Sequence, residues 1–221
     1  MSDHTGQEPA APGELPLVVI VEDDAAVRSA LSSLLRSVGY RVDAYEAPAA
    51  LLQKGVPKSA GCLVLDVRLP MISGLDFQKR LAELNDRVPV VFMTGHGDIP
   101  MSVQAMKAGA IDFLSKPFRD QDMLDAVAAA IARDRARREA EAGLTELQKR
   151  LESLSKRERE VMAHATAGLL NKQIAAEVGL SEVTVKIHRG RAMHKMGARS
   201  FAELVRIAES LGVRPDRPTS R

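Results

Sequence analysis

Four carboxylates and two donors stand at the ends of short apolar runs in this sequence. Glu22, Asp23 and Asp24 follow Leu17–Val21, Asp66 follows residues 62–65, Thr94 follows residues 90–93, and Lys116 comes just after residues 111–114. Singly, each acid reads as a solvated surface charge, because Asp and Glu are mostly exposed. Brought to one edge, they would repel and raise one another's pKa unless they shared a cation, and a set of oxygen ligands suits Mg²⁺. Phosphoryl transfer to a carboxylate needs an in-line nucleophile, a metal to neutralise the oxygens and further donors for the remaining charge. Asp66, Mg²⁺, Thr94 and Lys116 would supply those parts.

The elements predicted around these residues would assemble that edge. Apolar, β-branched runs at 17–21, 42–45, 62–65, 90–93 and 111–114 alternate with helical patterns at 27–38, 49–52, 75–84 and 101–108. Strands alternating with helices imply a doubly wound, flavodoxin-like α/β domain with a five-stranded parallel sheet. Such sheets bind ligands beyond the carboxyl ends of their strands. Residues 1–15, rich in Pro, Gly, Ala and acid, read as a disordered tail, the α/β domain as residues 16–132 and a helical linker as 133–153. Residues 120–152 contain no Pro and only Gly143, which predicts one long helix or two joined at a weak point. Leu144, Leu147, Leu151 and Leu154 follow 3-4-3 spacing, which fits a short coiled coil or a satellite core strip equally well.

Beyond the linker every pattern is helical, and residues 154–211 read as a four-helix domain with a flexible tail at 212–221. Ser155 and Glu158 fit a capping box. Residues 171–178, then Gly179-Leu180-Ser181, then 182–196 predict helix, tight turn and helix; Ser200 with Glu203 starts a last helix. In the second helix of the pair Val185, Ala192 and Met196 share one side, while Lys186 and Arg189 are i, i+3 neighbours. For a generic helix that basic pair is a solvated face; in a helix-turn-helix it can meet guanine edges in the major groove.

Composition agrees with two soluble domains. The 221 residues carry 31 Lys/Arg and 29 Asp/Glu, of which 13 and 7 fall from Leu154 onward, so that part has a charge of +6 and the remainder −4. A basic half beside an acidic half points to a polyanion-binding part and a part with another role. Cys62 is the only cysteine, lies in an apolar run and reads as core, which excludes an intramolecular disulfide and a multi-cysteine zinc site. No leader pattern or apolar run long enough to span a bilayer is read, so the expectation is a cytoplasmic, non-membrane protein.

The segments IVEDD, LVLDVRLP, VFMTGHGD and DFLSKPF resemble the receiver domain of two-component response regulators, over about residues 16–132. The resemblance implies that Asp66 is the phosphoacceptor, and that Glu22, Asp23, Asp66 and the backbone carbonyl of Arg68 hold Mg²⁺. It further implies that Thr94 and Lys116 grip the phosphoryl group, that Phe113 is an aromatic switch, and that Lys116-Pro117 is cis. Glu22 departs from the commoner Asp. His96, in the Thr94-Gly95-His96-Gly97 turn, reads as an exposed loop residue. LSKREREVM, NKQIAAEVGLS and TVKIHRGRAMHKMGA resemble a LuxR-type helix-turn-helix domain, so the whole chain is similar to FixJ-like regulators of the NarL/FixJ family. That likeness implies Lys186 and Ile187 in the major groove, Arg189 near bases or phosphate, and Asn171, Lys172, Thr184 and His188 near the backbone. Gly190 and Leu170 depart from residues common at those positions.

The partners implied are a sensor histidine kinase, double-stranded promoter DNA, RNA polymerase and a second copy of the chain after phosphorylation. In that dimer the fourth helix, with Val103 and Lys107, would face the partner. An RNA-binding antiterminator is the alternative. A phosphatase with an Asp nucleophile is disfavoured, because Arg68 stands where that family's second Asp would be, and no Gly-rich Lys loop or GxSxG elbow is present. The reading is of a transcription regulator and not an enzyme.

Overall fold

The structure, a computed structural model, describes residues 15–84, 86–95 and 99–215. The tails expected over 1–15 and 212–221 fall largely outside the described residues, as does His96. Two compact units divide at residues 137 and 138.

In the first unit β1 (Leu17–Val21), β2 (Arg41–Tyr45), β3 (Ala60–Asp66), β4 (Val90–Thr94) and β5 (Asp112–Ser115) form one parallel sheet in the order β2-β1-β3-β4-β5. The helices are α1 (Ala25–Ser37), α2 (Pro48–Lys54), α3 (Gly74–Glu83), α4 (Ile99–Lys107) and the start of α5 (Asp120–Glu152). Every residue of β1, β3 and β4 is buried, as a strand with helices on both sides requires, while edge strands β2 and β5 are partly open. Alternation along β1 sends Leu17, Val19 and Val21 to one core with Leu51, Phe77 and Ala105 of α2, α3 and α4. Val18 and Ile20 go to the other, with Leu31 and Leu35 of α1 and Met123 and Val127 of α5. Cys62 is buried in that second core, and burial pushes its thiol far above the ordinary range.

The second unit contains the end of α5 and α6 (Lys156–Thr166), α7 (Asn171–Val178), α8 (Glu182–Met196) and α9 (Phe201–Ser210). Gly179 ends α7 in the left-handed conformation (φ 66°), which lets α8 begin three residues later. Leu151 and Leu154 are buried with Met162, Ala192, Met196 and Leu204, whereas Leu144 is exposed, so the leucine strip packs only at its C-terminal end. The capping box at Ser155 is present: its hydroxyl accepts from Glu158 N–H and the Glu158 carboxylate accepts from Ser155 N–H at 2.8 Å. At α9 the reach-back falls one residue earlier, on Arg199 N–H at 2.8 Å. Among the described residues no helix is long and apolar enough to cross a membrane.

Buried Glu158 also accepts from Lys195 Nζ at 2.6 Å, tying the start of α6 to the last turn of α8. That bond, then the Ser155 N–H, holds the carboxyl well below its ordinary 4.5, at about 2. The folded value is below the unfolded one, so the contribution is present above pH 4.5 and is lost as pH falls toward 2. Because Lys195 is more than a third exposed, Glu158→Gln should lower stability at pH 7 by only ~1 to 2 kcal/mol, below the full linkage value. Urea unfolding of both proteins at pH 7 and pH 2.5 checks this. The gap should narrow at the lower pH, and an equal gap at both would refute the linkage.

Candidate functional site

The carboxyl edge of the sheet carries the site. Parallel pairing of β1 with β3 sets Val21 beside Leu65, so the residues that follow, Glu22 and Asp66, emerge together. One ligand oxygen from each of Glu22, Asp23 and Asp66 lies within 4.8 Å of the other two. Asp24 serves the backbone instead, as the N-cap of α1. It accepts from Ala26 N–H at 2.8 Å and Val27 N–H at 3.0 Å, and the bonds from Val27 and Ala26 lower its pKa.

Glu22 and Asp66 are almost fully buried, and Asp23 is exposed. Lys116 Nζ, arriving from the end of β5, donates to Glu22 Oε2 at 2.6 Å and to Asp66 Oδ2 at 2.7 Å. The Lys116-Pro117 peptide is cis, as the resemblance implied. The other Asp66 oxygen accepts from Arg68 N–H at 2.8 Å, and Glu22 Oε1 accepts from Asp24 N–H at 3.2 Å. Burial raises the Glu22 carboxyl above its usual value; the Lys116 bond opposes this, and the nearby Asp66 charge adds to the rise. Burial alone would lower Lys116, but its bonds to Asp66 and Glu22 and their charges together hold the ammonium above its ordinary value.

Three hard-oxygen carboxylates against one ammonium leave an acid excess, a donor set suited to a divalent cation such as Mg²⁺. Thr94 is fully buried at the end of β4, and its carbonyl accepts from Lys116 N–H at 2.7 Å. Phe113, the register partner of Phe92, is half-buried with ring centroids 6.4 Å apart. Val103 and Lys107 are both exposed on α4, with Met106 beside them.

Two contributors have weak signals in the sequence. The Arg28 guanidinium donates to the carbonyls of Glu22 at 2.7 Å and Asp23 at 3.1 Å, a bond to backbone that residue type alone does not announce. Gly74 lies so close under Asp66 that a Cβ there would collide with the Asp66 carbonyl oxygen and stand 3.0 Å from Val67 Cα.

In the second unit Lys172, Lys186 and Ile187 are exposed, and Asn171, Thr184, His188 and Arg189 are half-buried. The Thr184 hydroxyl pairs with that of Ser181 at 2.8 Å, and among the described residues His188 Nδ1 is buried without a hydrogen-bond partner. Arg189 does not stand free beside Lys186. Its guanidinium lies 4.2 Å over the Phe201 ring and donates weakly to Asn171 Oδ1 at 3.4 Å, because α9 places an aromatic face within reach.

Residues 18–128 match the response regulator receiver domain, and residues 152–208 match the luxR family of bacterial regulatory proteins. The two units therefore differ in kind: one is a receiver and the other a LuxR-type DNA-binding domain. The chain is 56% identical over 197 residues to nodulation protein W of Bradyrhizobium diazoefficiens, covering 89% of this chain and 87% of that one. It is 49% identical over 195 residues to response regulator protein TmoT of Ectopseudomonas mendocina, covering 88% and 89%. Among solved structures, the response regulator StyR is similar at 45% identity with a TM-score of 0.78, covering 89% of this chain and 99% of that one. Full-length FixJ from B. japonicum is similar at 41% identity and 0.55, covering 89% and 97%. The chain belongs to the transcriptional response regulators that join a receiver to a LuxR-type domain.

Because the atoms crowding position 74 are all backbone, no rotamer can relieve them. Gly74→Ala should lower stability by ~1 to 3 kcal/mol, as overpacking does. Thermal unfolding of the two proteins is the check, and an unchanged midpoint would refute the contact.

Proposed function

We propose that Asp66 is the phosphoacceptor and that its phosphorylation by a partner histidine kinase controls promoter binding by residues 154–211. The observation that carries this reading is the Asp66 carboxylate at the sheet's carboxyl edge, bonded to Lys116 Nζ at 2.7 Å with Glu22 and Asp23 beside it. Glu22, Asp23 and Asp66, with the Arg68 carbonyl, would hold Mg²⁺, which when bound neutralises phosphoryl oxygens. An Asp66 oxygen forms a bond to phosphorus as the bond from phosphorus to the kinase imidazole nitrogen breaks, and that nitrogen keeps the electron pair. Lys116 and Thr94 then bind the transferred group.

The rearrangement of Thr94 and Phe113 shifts the α4 surface, where Val103 and Lys107 meet a second copy. Two DNA-binding domains then engage two half-sites at high effective concentration. Lys186 and Ile187 serve base recognition, Arg189 lies near bases or phosphate, and Asn171, Lys172, Thr184 and His188 serve the sugar-phosphate backbone. RNA polymerase is the downstream partner, and the working compartment is the cytoplasm.

Asp66→Asn should abolish Mg²⁺-dependent labelling by acetyl phosphate, since an amide is a poor nucleophile. Stoichiometric labelling of the variant would sink the assignment. Lys186→Ala should weaken specific duplex binding by ~1 to 3 kcal/mol while leaving non-specific binding nearly unchanged. Titration on selected and scrambled duplexes tests it, and equal losses on both would recast Lys186 as a phosphate contact.

A further inference from the structure

The exposed face of α8 holds residues that the domain's own folding does not need. Val183 is 70% exposed and Ile187 49% exposed, one turn apart at i and i+4, with exposed Lys186 between them. Gly190 continues the same face, and a Cβ there would meet nothing within 4 Å. The opposite side of the helix does the packing, through Val185, Ala192 and Met196. β-Branched residues and mid-helix glycine are both poorer helix formers than alanine, so Val183, Ile187 and Gly190 weaken α8 locally without improving its packing.

We propose that Val183 and Ile187 form an aliphatic reader for thymine 5-methyl groups in the major groove. This rests on the reading of residues 154–211 as a duplex-DNA-binding domain. In a helix-turn-helix the first residues of the second helix face base edges, and Val183 is the second residue of α8, just after the Ser181 N-cap and Glu182. Thymine is the one base that offers an apolar group there, and apolar side chains are its natural contacts.

The surrounding charge fits a polyanion. Lys186 lies between the two aliphatic residues, Lys172 is exposed at the start of α7, and Arg191 is exposed one turn further along α8. An apolar protein partner would gain nothing from that basic frame. Four residues rise ~6 Å along a helix, roughly two steps of a duplex at ~3.4 Å per base pair, so the pair can reach thymines about two steps apart. Gly190, lacking a side chain, leaves room for the helix to lie close to the groove floor. The DNA chosen by this chain therefore carries one or two thymines under each recognition helix, in addition to the base read by Lys186.

The test uses the full chain and a duplex that it selects from a randomised pool. Each thymine is then replaced in turn by deoxyuridine, which removes the methyl and keeps the O4 acceptor. Wild type should lose affinity about fourfold at one or two positions in each half-site, the amount expected for one buried methyl. Val183→Ser should lose the uracil sensitivity at one of them, and Val183→Ile should keep it. Both substitutions are on an exposed position, and matching unfolding midpoints would confirm intact folding. Uracil tolerance at every position in wild type, or undiminished uracil sensitivity in Val183→Ser, overturns the proposal while the DNA-binding reading stands. Failure of wild type to select any duplex overturns that reading, and the proposal with it.

Discussion

The receiver edge is organised by the repulsion among three carboxylates that the fold forces together. Glu22 and Asp66 cannot avoid one another, because they follow the paired ends of β1 and β3, two adjacent inner strands. Lys116 relieves that repulsion with a single ammonium bonded to both, and it comes from the edge of the sheet, at the end of β5. Glu22, with its longer arm, places one oxygen on Lys116 and the other on Asp24 N–H while remaining buried. Asp23 stays exposed to solvent. Similar side chains thus serve different purposes because neighbouring backbone positions bury one, expose the next and turn the third into a helix cap.

The same constraint links the cluster to the strand that carries Thr94. Lys116 N–H donates to the Thr94 carbonyl, so the residue that neutralises the acids and the residue at the end of β4 belong to one hydrogen-bonded ladder. Phe92 and Phe113 face each other in that ladder two residues earlier. A change in charge at Asp66 would therefore act first on Lys116, and through its backbone on the β4–β5 pair. Packed interiors resist gradual deformation, which favours discrete rearrangement over a smooth one.

Much of this is readable in the residues themselves. The strands reveal themselves as short β-branched runs, and α7 and α8 span the residues 171–178 and 182–196 that the helix, turn and helix pattern predicts, with Gly179 in the turn between them. β3 starts two residues before its apolar run because Ala60 and Gly61 carry little strand signal. Gly61 is placed by its neighbours, Ile131 and Asp134 standing 3.5 Å and 3.9 Å from where its Cβ would be. The leucine spacing from 144 to 154 overstates burial, since periodicity identifies a face but not whether anything covers it. Arg189 illustrates the same limit for charge: its i, i+3 relation to Lys186 is local, but its environment is set by Phe201 on another helix.

Charge counting therefore overstates how many cations α8 presents without a partner. Along α8, Lys195 is held by Glu158 and the Ser153 carbonyl, and Arg189 is stacked on Phe201. Both serve to fix α8 against α6 and α9, and neither is as freely presented as the +6 of the C-terminal part implies. Besides the anchored Lys195, the exposed Lys and Arg side chains of α8 are Lys186 and Arg191, which lie near exposed Val183, Ile187 and Gly190. Phosphate attraction grows with the number of cations and is blind to sequence, whereas apolar and hydrogen-bonding contacts to base edges discriminate. Engaging Lys195 and Arg189 with neighbouring groups thus leaves two fewer unengaged cations on α8 than charge counting suggests.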